Sequence, residues 1–288
     1  MTALRLGTRE FGVDDRTVMA IVNRTPDSFF DQGAHVDPAA AMSAVDLAVE
    51  QGAAIIDVGG VKAGPGEPVE TDEEIRRTAA FVAAVRRRHP SLVISVDTWR
   101  AEVGRAACEA GADLLNDAWQ GFDPGLAVVA AEFGAGLVCS HAGGLPPRTD
   151  PHRVAYDDVV ADVVATVTGL AERAVSVGVR RDGVLIDAAH DFGKNTYHSL
   201  EVTRRMDELV ATGWPVLVAV SNKKFLGETL DVDKDNRLEA TLATTALCAW
   251  AGGRVFRAHQ VAATRRVLDT VSSIAGTRQP AVARRALA

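Results

Sequence analysis

The chain has 288 residues, 47% of them hydrophobic, enough to bury the core of one α/β barrel domain spanning residues 1–288. Its 31 basic and 38 acidic side chains leave a net charge of -7, which argues against a general nucleic-acid or anionic-membrane surface and favours a small-molecule ligand. Cys108, Cys139 and Cys248 have no metal-ligand or redox spacing, no signal-like segment opens the sequence, and no window approaches the roughly 20 apolar residues of a membrane span, so a reducing, cytoplasmic setting is expected.

Residues 4–13, with Gly7 and Gly12, predict a small hairpin covering the bottom of a barrel. Short apolar, β-branched runs then follow at residues 18–22, 55–58, 93–96, 114–115, 137–140, 184–186, 216–220 and 255–256. Each ends in a polar or glycine-rich turn. Ala-rich amphipathic segments lie between them, among them residues 39–51, 72–89, 100–110, 156–177 and 238–252. Eight strand and helix units in under three hundred residues predict a closed (β/α)8 TIM barrel rather than an open doubly wound sheet.

In such a barrel the chemistry sits at the carboxyl ends of the strands. The residues there are Asn23, Gly59 and Gly60, Asp97, Asn116 and Asp117, His141, Asp187, Ser221-Asn222-Lys223, and Arg257 with His259. Lysine is rare: only Lys62, Lys194, Lys223, Lys224 and Lys234 occur, and the other 26 of the 31 cations are arginines. Lys223 follows an apolar strand directly, where its ammonium can donate to an acceptor-rich heterocycle or an anion. Arg257 and His259 flank Ala258, so strand geometry points both the same way, as suits an oxyanion. Asp97, Asn116 and Asp187 supply acceptors and an amide able to read a guanidine-like edge.

These positions resemble the dihydropteroate synthase family over nearly the whole chain. The resemblance rests on Asn23-Arg24-Thr25-Pro26-Asp27-Ser28-Phe29, Gly52-Ala53-Ala54-Ile55-Ile56-Asp57-Val58-Gly59-Gly60, Ser95-Val96-Asp97-Thr98 and Leu115-Asn116-Asp117. Asp187 with Phe192-Gly193-Lys194-Asn195, Ser221-Asn222-Lys223 and Arg257-Ala258-His259 complete it. It implies a homodimeric barrel that joins 4-aminobenzoate to 6-hydroxymethyl-7,8-dihydropterin diphosphate and releases diphosphate in folate biosynthesis. By this resemblance Asp97, Asn116, Asp187 and Lys223 hold the pterin, with Asp97 and Lys223 serving the reacting centre. Arg257 and His259 anchor the diphosphate, and Asn23 helps to bind its Mg2+ ion. Magnesium and cationic donors would stabilise charge on the leaving group. A methyltetrahydrofolate-using methyltransferase shares the barrel and the pterin logic, but residues 25–29 fit the synthases better.

The sequence departs from the family pattern after the second strand. The family's Gly-Gly-Glu-Ser-Thr-Arg-Pro-Gly reads Gly59-Gly60-Val61-Lys62-Ala63-Gly64-Pro65-Gly66, so Ala63 and Gly64 stand where a hydroxyl and a guanidinium are used. Losing one charged donor to a leaving group typically costs about 2 to 4 kcal/mol, or roughly a hundredfold in rate. After the sixth strand two family glycines have become Ala189 and Asp191, expected to crowd the ligand and add negative charge. Asn222 replaces an arginine, Arg24 a small apolar residue, and Ala142 a methionine. The leading reading is a synthase homologue that keeps a site for a pterin-like or sulfa-type ligand with weak or no synthase activity. One alternative is a working synthase whose diphosphate contacts come from Lys62, Arg24 or Lys224. Another is a non-catalytic ligand-sensing or partner-binding protein that associates through the apolar helix at residues 238–252.

Overall fold

The structure, a computed structural model, describes residues 3–24, 38–149 and 154–285. The motif at residues 25–29 lies outside the described residues. The chain opens with an antiparallel pair, β1 (Leu4–Leu6) and β2 (Arg9–Phe11). Gly7 turns between them at φ +55°, and a Cβ there would stand 2.3 Å from Asp113 Oδ1, so the turn requires glycine. Eight parallel strands follow: β3 (Thr17–Asn23), β4 (Ile55–Gly59), β5 (Val93–Asp97), β6 (Leu114–Asp117), β7 (Gly136–Ser140), β8 (Val184–Asp187), β9 (Val216–Val218) and β10 (Val255–Ala258). They close in the order β10-β3-β4-β5-β6-β7-β8-β9, the expected (β/α)8 barrel.

The helices are α1 (Pro38–Glu50), α2 (Thr71–Arg88), α3 (Ala101–Glu109), α4 (Gly125–Phe133), α5 (Val159–Ser176), α6 (Thr196–Arg204), α7 (Met206–Ala211), α8 (Lys224–Leu230), α9 (Leu238–Trp250) and α10 (Val261–Ile274). None of the described helices is long and apolar enough to cross a membrane. The helix expected over residues 156–177 starts later, because the Asp158 carboxylate accepts from the amides of Val160 and Ala161 and caps α5. Tyr156 is thereby left outside the helix, and its hydroxyl donates to the Gly193 carbonyl at 2.6 Å. The strand expected over residues 216–220 ends at Val218, since its neighbours offer ladder partners only as far as Leu217 and Val218.

Side-chain alternation sorts each strand into two faces. Val18, Ala20, Val22, Ile56, Val58, Ile94, Val96, Leu115, Ile186 and Val218 point outward into the core shared with the helices. On the inward face, Met19, Ile55, Val93, Leu114, Val138, Leu185, Leu217 and Val255 fill the lower barrel. Leu4, Leu6 and Phe11 of the hairpin belong to the same buried cluster, so the hairpin plugs the amino-terminal end as the sequence suggests. The apolar filling stops there. One or two positions further along the same inward rows stand Asn23, Asp57, Asp97, Asn116, Asp187 and Arg257.

Candidate functional site

The carboxyl end of the barrel encloses a cavity of about 380 Å³ lined by Asn23, Asp97, Asn116, Asp187, Lys223, Arg257 and His259, the residues to which the family resemblance gives roles. The altered positions Ala63, Gly64, Ala189, Asp191 and Asn222 line it too. Four of the chain's five lysines, Lys62, Lys223, Lys224 and Lys234, share that lining. The fifth, Lys194, lies directly behind it and donates to the carbonyls of Phe192 at 2.9 Å and Ala189 at 3.4 Å.

The cavity floor is a charge network that the motifs alone did not reveal. Asp57, fully buried, accepts from Arg257 Nε at 2.6 Å, Ser95 Oγ at 2.6 Å and Asn116 Nδ2 at 3.1 Å. Arg257 Nη2 donates to Asp97 Oδ2 at 2.9 Å, so the guanidinium spans two carboxylates. A carboxylate inside the otherwise apolar run at residues 55–58, in phase with the inward face, is the sequence signal that could have singled out Asp57. Burial pushes the Asp97 carboxyl up to about 7 against the opposing pull of Arg257, while Asp57 adds repulsion. Burial likewise raises Asp187, whose carboxylate accepts from the Ala189 amide at 2.8 Å.

Burial, followed by the charge of Arg257, lowers His259 to about 3, so its imidazole is neutral at physiological pH. Lys223 projects from the turn after β9, and burial lowers it from the ordinary lysine range while Asp191, Asp187 and Asp97 act in the opposite direction. Its Nζ lies 4.3 Å from the centroid of Phe192, a cation-π contact. Phe192 meets Trp119 edge to face at 5.1 Å. Behind them Val61, Trp99 and Ala142 complete a buried apolar cluster. Val61, Ala63, Pro65, Ala118, Trp119 and Phe192 thus give the cavity an apolar wall, with Lys62 in the same loop and Lys223 against its Phe192 ring.

Strand parity removes two strand-end candidates from the cavity. Asp117 faces outward and accepts from the amides of Trp119 at 2.8 Å and Gly121 at 2.6 Å, shaping the turn that presents Trp119. His141 is buried between Asp162, whose carboxylate lies 2.6 Å from its Nε2, and Lys194, which donates to its Nδ1 at 2.7 Å. Arg24 is not among the cavity-lining residues: its guanidinium stacks over Phe81 of α2 at 4.9 Å.

The altered loops have local consequences. Ala189, Asp191 and Asn222 adopt φ of +49°, +71° and +56°, the left-handed region that favours glycine. The Asp191 carboxylate accepts from the amides of Lys224 at 2.5 Å and Phe225 at 3.2 Å, so it fixes the start of α8 while placing a negative charge on the cavity wall. Across the mouth, the loop after β4 is clasped by Arg148, which donates to the carbonyls of Gly64 at 3.1 Å and Glu67 at 2.6 Å. Asn23 offers one amide oxygen, and among the described residues no cluster of three metal-ligating side chains exists. Such a site suits an ion carried in by a diphosphate, whose remaining ligands are phosphate and water oxygens.

Comparison with known proteins agrees with this arrangement. A family model described as pterin binding enzyme matches residues 19–259, from inside β3 to the end of the Arg257-Ala258-His259 motif. A Mycobacterium leprae protein named inactive dihydropteroate synthase 2 is 59% identical over 284 residues, covering 97% of this chain and 98% of that protein. A Mycobacterium tuberculosis protein of the same name is 60% identical over 279 residues, covering 96% of this chain and 88% of that protein. The crystal structure of Yersinia pestis dihydropteroate synthase with a sulfonamide drug superposes with a TM-score of 0.90 at 30% identity, covering 96% of this chain and all of that one. The chain is a homologue of dihydropteroate synthase and belongs to the pterin binding enzyme family.

Proposed function

We propose that this protein binds a pterin-like ligand and has weak or no dihydropteroate synthase activity. The observation that carries this reading is the pairing of a complete polar floor, Asp97, Asn116, Asp187 and Lys223, with a mouth loop that presents Ala63 and Gly64. The floor can satisfy the amino and ring N-H groups of a pterin with carboxylates and its acceptors with the amide and the ammonium. The loop after β4 lacks the hydroxyl and guanidinium that the family pattern places there for the leaving diphosphate. The names of the mycobacterial relatives support the same reading.

In a synthase reaction the residues' tasks would divide by depth. Asp97 and Lys223 would hold the ring and balance the charge developing on it. Arg257 and His259 would meet the diphosphate, and Asn23 would touch the magnesium ion it carries. Arg257 is already held by Asp57 and Asp97, and His259 is neutral, so the leaving group receives less compensation than two free cations would give.

Incubation of the protein with Mg2+, the pterin diphosphate and 4-aminobenzoate, beside an active synthase, tests the proposal. Dihydropteroate formation below about 1% of the control is expected, because two leaving-group supports worth roughly a hundredfold or more are gone. Turnover near the control refutes it and favours a working synthase in which Lys62 and Lys224, both lining the cavity, take over the diphosphate. A cytoplasmic homodimer is part of the proposal. The exposed Leu247 and Trp250 of α9 offer an apolar contact for it, and sedimentation at monomer mass would count against that part.

A further inference from the structure

Resting on that pterin-binding reading, we propose that the site is selective for a pterin already carrying an aromatic substituent and disfavours a pterin carrying a diphosphate. Separate features of the cavity converge on this ligand class.

The first is the wall left by the altered loop. Where the family pattern places Glu, Thr and Arg, this chain places Val61, Ala63 and Gly64. Val61 is buried with Trp99, Trp119 and Ala142, and Phe192 packs against them. Two aromatic rings therefore border the cavity in edge-to-face contact, Trp119 and Phe192 with centroids 5.1 Å apart. The Lys223 ammonium sits on the Phe192 ring, between this wall and the polar floor. A flat heterocycle on the floor would direct a substituent past Lys223 along an apolar, aromatic surface, which rewards an aryl ring and offers nothing to a hydrated dianion.

The second is the state of the anion-binding groups. Asp191, where the family pattern has glycine, places a carboxylate on the cavity wall and takes the amides of Lys224 and Phe225. Bringing a diphosphate beside that fixed charge costs electrostatic energy in a partly buried site. His259 adds no charge at neutral pH. Lys62, Lys224 and Lys234 line the same cavity, but an ammonium lacks the paired donors with which a guanidinium grips a phosphate.

Isothermal titration of the full-length protein with three probes tests this: 6-hydroxymethylpterin, its diphosphate ester in the presence of Mg2+, and pteroic acid. Pteroic acid is expected to bind about tenfold tighter than 6-hydroxymethylpterin or better, the diphosphate no tighter, and Trp119 fluorescence to change with pteroic acid. Val61→Glu, which restores a charge to the wall, should remove most of the pteroic acid advantage while leaving 6-hydroxymethylpterin affinity within about twofold. Equal binding of pteroic acid and 6-hydroxymethylpterin, or a diphosphate bound tenfold tighter than the alcohol, overturns the selectivity and leaves the pterin reading standing. Binding of none of the three by correctly folded protein overturns both.

Discussion

Removing the charge of Asp57 while keeping its shape should destabilise the protein more than any change at the cavity rim. Arg257 Nε and Asn116 Nδ2 donate to the same oxygen, Oδ2, at 2.6 and 3.1 Å, so in Asp57→Asn an amide oxygen there keeps both contacts without the charge, while the NH2 replaces Oδ1 and the Ser95 hydroxyl must turn to accept from it. The loss is the ionised acceptor opposite the Arg257 guanidinium, worth about 1.5–3 kcal/mol, so a cost near ~2 kcal/mol is expected. For a chain of this size that corresponds to a melting temperature lowered by about 4–8 °C, measurable by circular dichroism. Arg257 keeps Asp97 as a partner, which sets an upper limit on the damage. The double variant Asp57→Asn with Arg257→Met should cost less than the sum of the single changes, because each removes the other's buried partner. A melting temperature within a degree of wild type for Asp57→Asn, or full additivity in the cycle, would refute the view that the floor is a coupled network.

Gly64→Arg should tighten the Mg2+-dependent binding of the pterin diphosphate by about tenfold or more, since among the described residues a Cβ at Gly64 meets only Lys62 Cε, at 3.8 Å, and Gly64 lines the cavity; titration with and without Mg2+ checks this. Binding of 6-hydroxymethylpterin should strengthen as pH rises through about 7, where Asp97 ionises. Asp97→Asn should abolish that pH dependence. The stability contribution of Asp97 runs the other way: the folded carboxyl holds its proton more tightly than the unfolded chain does, so its stabilisation is present below about 4 and is lost as pH rises through about 7. Asp191→Ala should lower stability by about 1–2 kcal/mol, because it removes the acceptor of the Lys224 and Phe225 amides and keeps the strained backbone. Asp191→Gly should stay within about 1 kcal/mol of wild type in the same thermal melts, since relief at φ +71° offsets the lost cap.

The order of apolar runs and amphipathic segments was enough to predict the barrel, since strand and helix periodicities are local and eight repeats leave few topologies open. The same reading brought together the residues that line the cavity, because polar residues at the ends of parallel strands must converge once the barrel closes. Strand 114–115 was weak in sequence because two apolar residues give no measurable alternation. In the structure it runs on through Asn116 and Asp117, held by neighbours on both sides. The start of α5 and the end of β9 escaped for related reasons, being set by a side-chain cap and by the reach of adjacent strands.

Local sequence determined which residues reach the barrel mouth and which family groups are missing there, because strand ends and motif spacing are properties of the chain itself. Only the tertiary structure decided which way each one faces and what it meets. It turned His141 and Asp117 outward, moved Arg24 onto Phe81, spent Asp191 on the start of α8, and joined Asp57 to Arg257, which stands 200 residues away. Those outcomes depend on the stagger between neighbouring strands and on the packing of loops from opposite sides of the barrel, distances that no local pattern encodes.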